Sequence, residues 1–171
     1  MVSAVIALSG AIGSGKTTLA SELSVRIDHS GVRAFGDVVR DEAVRRGRSV
    51  DRDDLQKTGS ELVAEGWDRF VGLLLDPPPT ADVLVVEGVR HMGAMAGLGN
   101  HLPDARLFLV FVQPPAEVVE GRVVERGENV AALGHAVEAE LPEVSKRADL
   151  VVAGMDVSQD AERVLSLLRS I

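Results

Sequence analysis

Gly10-Ala11-Ile12-Gly13-Ser14-Gly15-Lys16-Thr17-Thr18 follows the apolar run Val2–Leu8 and precedes a stretch with apolar residues at four-residue steps: Leu19, Leu23 and Ile27. Gly10 to Thr17 match G-x-x-x-x-G-K-[ST] in the strand–loop–helix context that this motif requires. The residue types have physical reasons. Glycines let a backbone take positive φ and approach an anion with no Cβ in the way. Exposed N–H groups and the start of the next helix then face phosphate oxygens. On this reading Lys16 bridges the terminal phosphates of a nucleoside triphosphate and the Thr17 hydroxyl ligates Mg²⁺. The bland alternative is a glycine-rich turn that happens to start a helix, and the agreement of motif and context weighs against it.

Outward from this loop, the segments Val2–Leu8, Val32–Phe35, Val83–Val86, Leu107–Val112 and Leu150–Val152 are short, rich in β-branched residues and nearly continuous in hydrophobicity. Strands buried on both faces have this pattern. Between them Thr17–Asp28, Asp51–Leu75, Ala116–Arg126 and Gln159–Arg169 carry helical periodicity. The alternation predicts an α/β protein, a three-layer α/β/α fold on a five-stranded parallel sheet. Asp76–Thr80, with three prolines in a row, reads as a stiff loop into the third strand.

A length of 171 residues suits one domain over 1–171. Apolar residues at 46% and charged residues at 26% are globular values. The absence of cysteine excludes disulfides, thiolate metal sites and a cysteine nucleophile. A net charge of −8, with 3% aromatics and no tyrosine, argues against a nucleic-acid surface. No apolar run approaches the roughly 20 residues that span a bilayer. The N-terminus lacks the basic region of a signal peptide. The expectation is a cytoplasmic protein, monomer or homodimer, with neither nucleic-acid nor membrane partners.

Candidates for a second ligand lie elsewhere. After the second predicted strand, Asp37 reads as an N-cap and Arg40 lies three residues on, on one side of the same turn. The carboxyl ends of strands are where open α/β sheets hold ligands. There a carboxylate could accept a hydroxyl proton or hold metal-bound water, and a guanidinium could clamp a phosphate; a capped surface helix is the plain alternative. Val83–Val86 runs into Glu87-Gly88-Val89-Arg90, a hydrophobic strand ending in an acid. Glu87 could hold Mg²⁺ through water or orient an acceptor, Gly88 admits close approach, and Arg90 would reach the same cleft. His91 is more simply structural or solvated. Arg122 and Arg126, four apart on a predicted helix, could neutralise a phosphoryl group in transit. Arg45, Arg46 and Arg48 read as a solvated helix end. The backbone of Ala148–Gly154 could meet a purine edge, and Trp67 reads as core or as part of a cover over an acceptor.

The order of these motifs resembles that of the small P-loop kinases, the group that includes nucleoside monophosphate kinases and dephospho-CoA kinases. Gly10–Thr18 is similar to their phosphate loop, and Phe35–Arg40 to the Gly-Asp-aliphatic-aliphatic-Arg stretch of adenylate kinases. Glu87–Arg90 resembles their Asp-Gly-x-x-Arg, with glutamate where aspartate is usual and Arg90 one residue earlier, and Arg122 and Arg126 look like the pair before the LID. The resemblance covers essentially the whole chain, with a helical acceptor-binding insert about 37–75 and a short LID about 127–139. It implies ATP and Mg²⁺ as cofactors. ATP would be held by Gly10, Ala11, Ile12, Gly13, Ser14, Gly15, Lys16, Thr17, Thr18 and Gly154. Thr17 and Glu87 would serve the metal, and Asp37, Arg40, Glu87, Gly88 and Arg90 the acceptor. Lys16, Asp37, Arg122 and Arg126 would assist transfer. The presumed LID has neither arginine nor cysteine, so the acceptor stays open. It could be a nucleoside monophosphate, dephospho-CoA, or a nucleoside or sugar. A regulatory ATPase with no small-molecule acceptor is the reading from another class. No Asn-Lys-x-Asp guanine motif occurs.

Overall fold

The computed structural model describes residues 1–125 and 140–170. Five strands, β1 (Ala4–Ser9), β2 (Ser30–Ala34), β3 (Val83–Glu87), β4 (Arg106–Val112) and β5 (Leu150–Val152), form one sheet in the order β2-β3-β1-β4-β5. Every pairing is parallel: Leu8 stands opposite Glu87, Ala34 opposite Glu87, and Ser9 opposite Phe111. The carboxyl ends of β1, β2 and β3 therefore lie side by side.

Alternation of side chains along the strands builds two cores. On one face Ile6, Leu8, Val85 and Val110 pack with Leu19 and Leu23 of α1 (Lys16–Arg26) and Val164 of α8 (Val157–Arg169). On the other, Val5, Ala7, Val86 and Leu109 pack with Leu62 of α3 (Arg52–Glu65), Val71 of α4 (Trp67–Leu74), Leu98 of α5 (Met92–His101) and Val144 of α7 (Leu141–Lys146). The three-layer expectation is met. Among the described residues the remaining helices are α2 (Phe35–Arg45) and α6 (Ala116–Glu125).

Three local expectations change. Asp51–Leu75 is two helices, because Gly66 at φ 110° breaks the run between α3 and α4. Asp37 is not an N-cap: the chain enters α2 straight from β2 at Phe35, with extended Ala34 as the cap residue, so Asp37 lies in the first turn. Arg45 is exposed as a solvated helix end requires, but Arg46 and Arg48 are half-buried. Arg46 pairs with Glu42, Glu61 and Glu65, Arg48 with Glu61, and Arg45 and Arg69 with the buried Glu42. This network ties α2 to α3 and α4. The hydrogen bond from Arg48 holds the Glu61 carboxyl below the usual carboxylate range. Its contribution is present above that range and fades as acid protonates the group.

Helices α4 and α5 meet through glycines. A Cβ on Gly93 would lie 2.0 Å from Trp67 Nε1, and one on Gly97 would lie 2.8 Å from Val71 Cγ2. Trp67 stacks on Phe70 at 5.6 Å and meets Phe35 edge-on at 6.1 Å. Gly93→Ala must push the indole out of this cluster. Overpacking of this kind costs about 1–3 kcal/mol, and a melting scan should show a fall of roughly 3–10 °C. An unchanged melting temperature would contradict this packing account.

Candidate functional site

The turn from β1 to α1 depends on glycine. Gly10 sits at φ 136°, and a Cβ there would lie 2.4 Å from the Val112 carbonyl oxygen. Gly13 and Gly15 also have positive φ, at 78° and 100°. Gly15 is the cap residue of α1, without a side-chain cap, and no acid occupies the first turn. The open N–H groups at this helix start are a ready site for an anion.

The Lys16 ammonium donates to the Gly10 carbonyl at 2.7 Å, the Ala11 carbonyl at 2.6 Å and Ser14 Oγ at 3.1 Å. It is folded over its own loop. The Thr17 hydroxyl donates to Glu87 Oε2 at 2.8 Å, from the first turn of α1 to the end of β3. These are hard oxygen donors of the kind Mg²⁺ takes together with substrate phosphates. Among the described residues no group of three or more His, Cys, Asp or Glu could form a dedicated metal cage. One hydroxyl and one carboxylate fit a metal bound chiefly through a nucleotide.

Beside the loop lies a cavity of about 240 Å³, lined by Gly15, Thr18, Leu19, Arg122, Gly154 and Met155 among others. Arg122 crosses from α6 to its mouth. It donates to the Gly13 and Ser14 carbonyls at 3.4 Å each and to the Gly154 carbonyl at 2.9 Å. Arg122 thus stands against the phosphate loop and this cavity together. Arg126 and the 127–139 segment lie outside the described residues. Gly154, at φ 66°, is packed so tightly that a Cβ would lie 2.6 Å from the Ser14 carbonyl oxygen. Its N–H is held by Asp160 at 2.7 Å. Asp160 is 3% exposed and carried no local signal in the sequence.

On the other side of Glu87, Gly88 takes φ 80° and lies against Phe35 at the start of α2. Asp37 and Arg40 project from that helix start as an exposed ion pair. The i, i+3 spacing brought them together as read. Arg90 is half-buried in the turn after β3. His91 is structural: its Nδ1 lies 2.8 Å from Glu140 Oε2, and its ring is 5.4 Å from that of Trp67. Two chemistries therefore adjoin. An amide-lined loop with a lysine stands on one side of the Thr17–Glu87 contact, and a carboxylate–guanidinium pair stands on the other. No helix among the described residues is long and apolar enough to cross a membrane.

Comparisons with known proteins agree with this fold. A protein family described as AAA domain (AAA_18) matches residues 6–143. A UPF0200 protein of Thermococcus gammatolerans is 26% identical over 133 residues, covering 73% of this chain and 67% of its own. Among solved structures, the Mycobacterium tuberculosis APS kinase CysC in complex with AMPPNP and APS superposes with a TM-score of 0.65. It has 17% identity and 99% of each chain is covered. Shikimate kinase from Aquifex aeolicus gives a TM-score of 0.60 at 20% identity, over 96% of this chain and 95% of that one. The fold is that of the small P-loop kinases.

Proposed function

We propose, for a chain that belongs to the AAA domain family, that it moves the γ-phosphoryl group of MgATP to a small acceptor, a nucleoside monophosphate or a similar nucleotide. The observation that carries this reading is the Thr17–Glu87 hydrogen bond of 2.8 Å. It sets the nucleotide loop against the end of β3, where Glu87 stands opposite Ala34, the residue from which the helix bearing Asp37 and Arg40 begins. A nucleotide-binding module without an acceptor has no use for that second niche. A neighbour of the same fold solved with both AMPPNP and APS supports a cleft for two ligands.

The division of labour follows from the geometry. Phosphoryl transfer asks a protein for positioning and charge neutralisation rather than covalent chemistry. Loop amides and Lys16 would grip the donor's phosphates, with Lys16 exchanging the Gly10 and Ala11 carbonyls for phosphate oxygens. Thr17 and Glu87 would hold Mg²⁺, which supplies neutralisation of the phosphate charge. Asp37 would orient the attacking oxygen. Arg40 and Arg90 would bind the acceptor's own phosphate, and Arg122 would line the donor side. All of this belongs to one kinase domain, with α2, α3 and α4 as its acceptor-binding insert.

Release of ADP, measured over a panel of nucleoside monophosphates, dephospho-CoA, nucleosides and sugars, tests the proposal. Turnover should depend on a phosphorylated acceptor. Hydrolysis of ATP at one rate whatever is added would defeat it. Within that assay Arg40→Ala should raise the acceptor KM about tenfold or more, since charge-assisted hydrogen bonds to phosphate are the strong kind. The KM for ATP should stay put. An unchanged acceptor KM would remove Arg40 from the site.

A further inference from the structure

We propose that Asp160 is a positioning residue for the donor nucleotide: it fixes the loop between β5 and α8 against the phosphate loop, acting through Gly154 and Arg122. The proposal rests on the donor-site reading above. Its basis is a continuous chain of contacts. Asp160 Oδ2 accepts the Gly154 N–H at 2.7 Å, and the Gly154 carbonyl accepts Arg122 Nη2 at 2.9 Å. Arg122 Nη1 reaches the Gly13 and Ser14 carbonyls. Gly154 itself presses on the Ser14 carbonyl and Val112, leaving no room for a side chain.

Burying a carboxylate is costly unless strong partners compensate, and Asp160 is 3% exposed. Capping α8 does not account for it. Asp156 already serves as the N-cap, accepting the Gln159 N–H at 3.0 Å. The Asp160 carboxylate also borders the 240 Å³ cavity shared by Gly15, Thr18, Arg122 and Met155. Its bond to Gly154 therefore sets one wall of that cavity before a ligand arrives. Preorganisation of this sort raises affinity by removing the cost of ordering the loop on binding.

The test is calorimetric titration of ATP, and separately of inorganic tripolyphosphate, into the full-length wild type, Asp160→Ala, Asp160→Asn, Arg122→Ala and the Asp160→Ala/Arg122→Ala double variant. Asp160→Ala should weaken ATP roughly tenfold, the scale of one charge-assisted hydrogen bond. Tripolyphosphate, which engages the phosphate loop alone, should change by less than about twofold. Asp160→Asn should restore ATP binding to within about threefold, because its amide oxygen still accepts the Gly154 N–H. The double variant should bind ATP about as weakly as Arg122→Ala alone, as expected of residues in one relay. Unchanged ATP affinity in Asp160→Ala, or equal loss of both ligands, would overturn the proposal. A wild type that binds no ATP would instead fell the donor-site reading. If Asp160→Ala fails to fold, hydrogen exchange on the wild type decides: ATP should protect 153–160 and the phosphate loop together. Protection of the phosphate loop alone would count against the relay.

Discussion

Lys16→Ala should lower phosphoryl transfer by about a thousandfold or more, the scale on which preorganised charge acts at a transition state. The ammonium is the positive side chain that the loop motif itself carries, while Arg122 reaches the Gly13 and Ser14 carbonyls from α6. The ammonium's hydrogen bonds to Gly10, Ala11 and Ser14 are with loop oxygens. Those carbonyls are neutral acceptors. A triphosphate offers charged ones, and charge-assisted bonds are about twice as strong. The resting contacts therefore hold the lysine near its working position while remaining the weaker choice. Alanine removes the charge that would follow the γ-phosphoryl group, and no neighbouring lysine replaces it: the other two, Lys57 and Lys146, lie on α3 and α7. The fold should survive, because the two carbonyls released lie in a part-buried loop. The check is ADP release beside a melting scan. Substantial turnover in a folded variant would refute the assignment of the loop.

Asp37→Asn should cut kcat by about a hundredfold to a thousandfold, the range in which a positioned carboxylate acts on an attacking hydroxyl, and leave ATP affinity nearly unchanged. The substitution suits the question because it is nearly isosteric. An asparagine oxygen can still accept from Arg40, so the ion pair between Asp37 and Arg40 becomes a hydrogen bond from the charged guanidinium to a neutral amide oxygen and the helix start of α2 keeps its geometry. Only the negative charge is lost. Asp37 lies on α2 and not on the phosphate-loop helix α1, so a loss confined to kcat separates an acceptor-side role from a general weakening of the site. Full activity in the asparagine variant would end the catalytic reading of Asp37. A parallel rise in ATP KM would shift it to the donor side.

The parts of the fold that local chemistry dictates were legible. Continuous apolar strands announced a sheet buried on both faces, and Gly10–Thr17 needs its glycines for reasons of φ and approach distance. What escaped depends on remote contacts. Helix α5 carries Gly93, Gly97 and Gly99, poor helix formers in isolation. It exists because Gly93 and Gly97 let Trp67 and Val71 of α4 come close. The break at Gly66 was hidden because the apolar positions of α3 and α4 stay nearly in phase. The arginines after α2 looked solvated because their partners Glu61 and Glu65 lie on another helix. Asp160 gave no sign, since its meaning resides in a bond to Gly154 and, through it, to Arg122, 38 positions away.

The strand order has an evolutionary implication. The donor loop springs from β1, mid-sheet, where neighbours on both sides punish any alteration. Helix α2, bearing Asp37 and Arg40, hangs from β2 at the margin, and its companions α3 and α4 are joined to it by their own charges. Selection can thus retool the outlying module for new chemistry while the glycine-rich loop at mid-sheet is inherited intact.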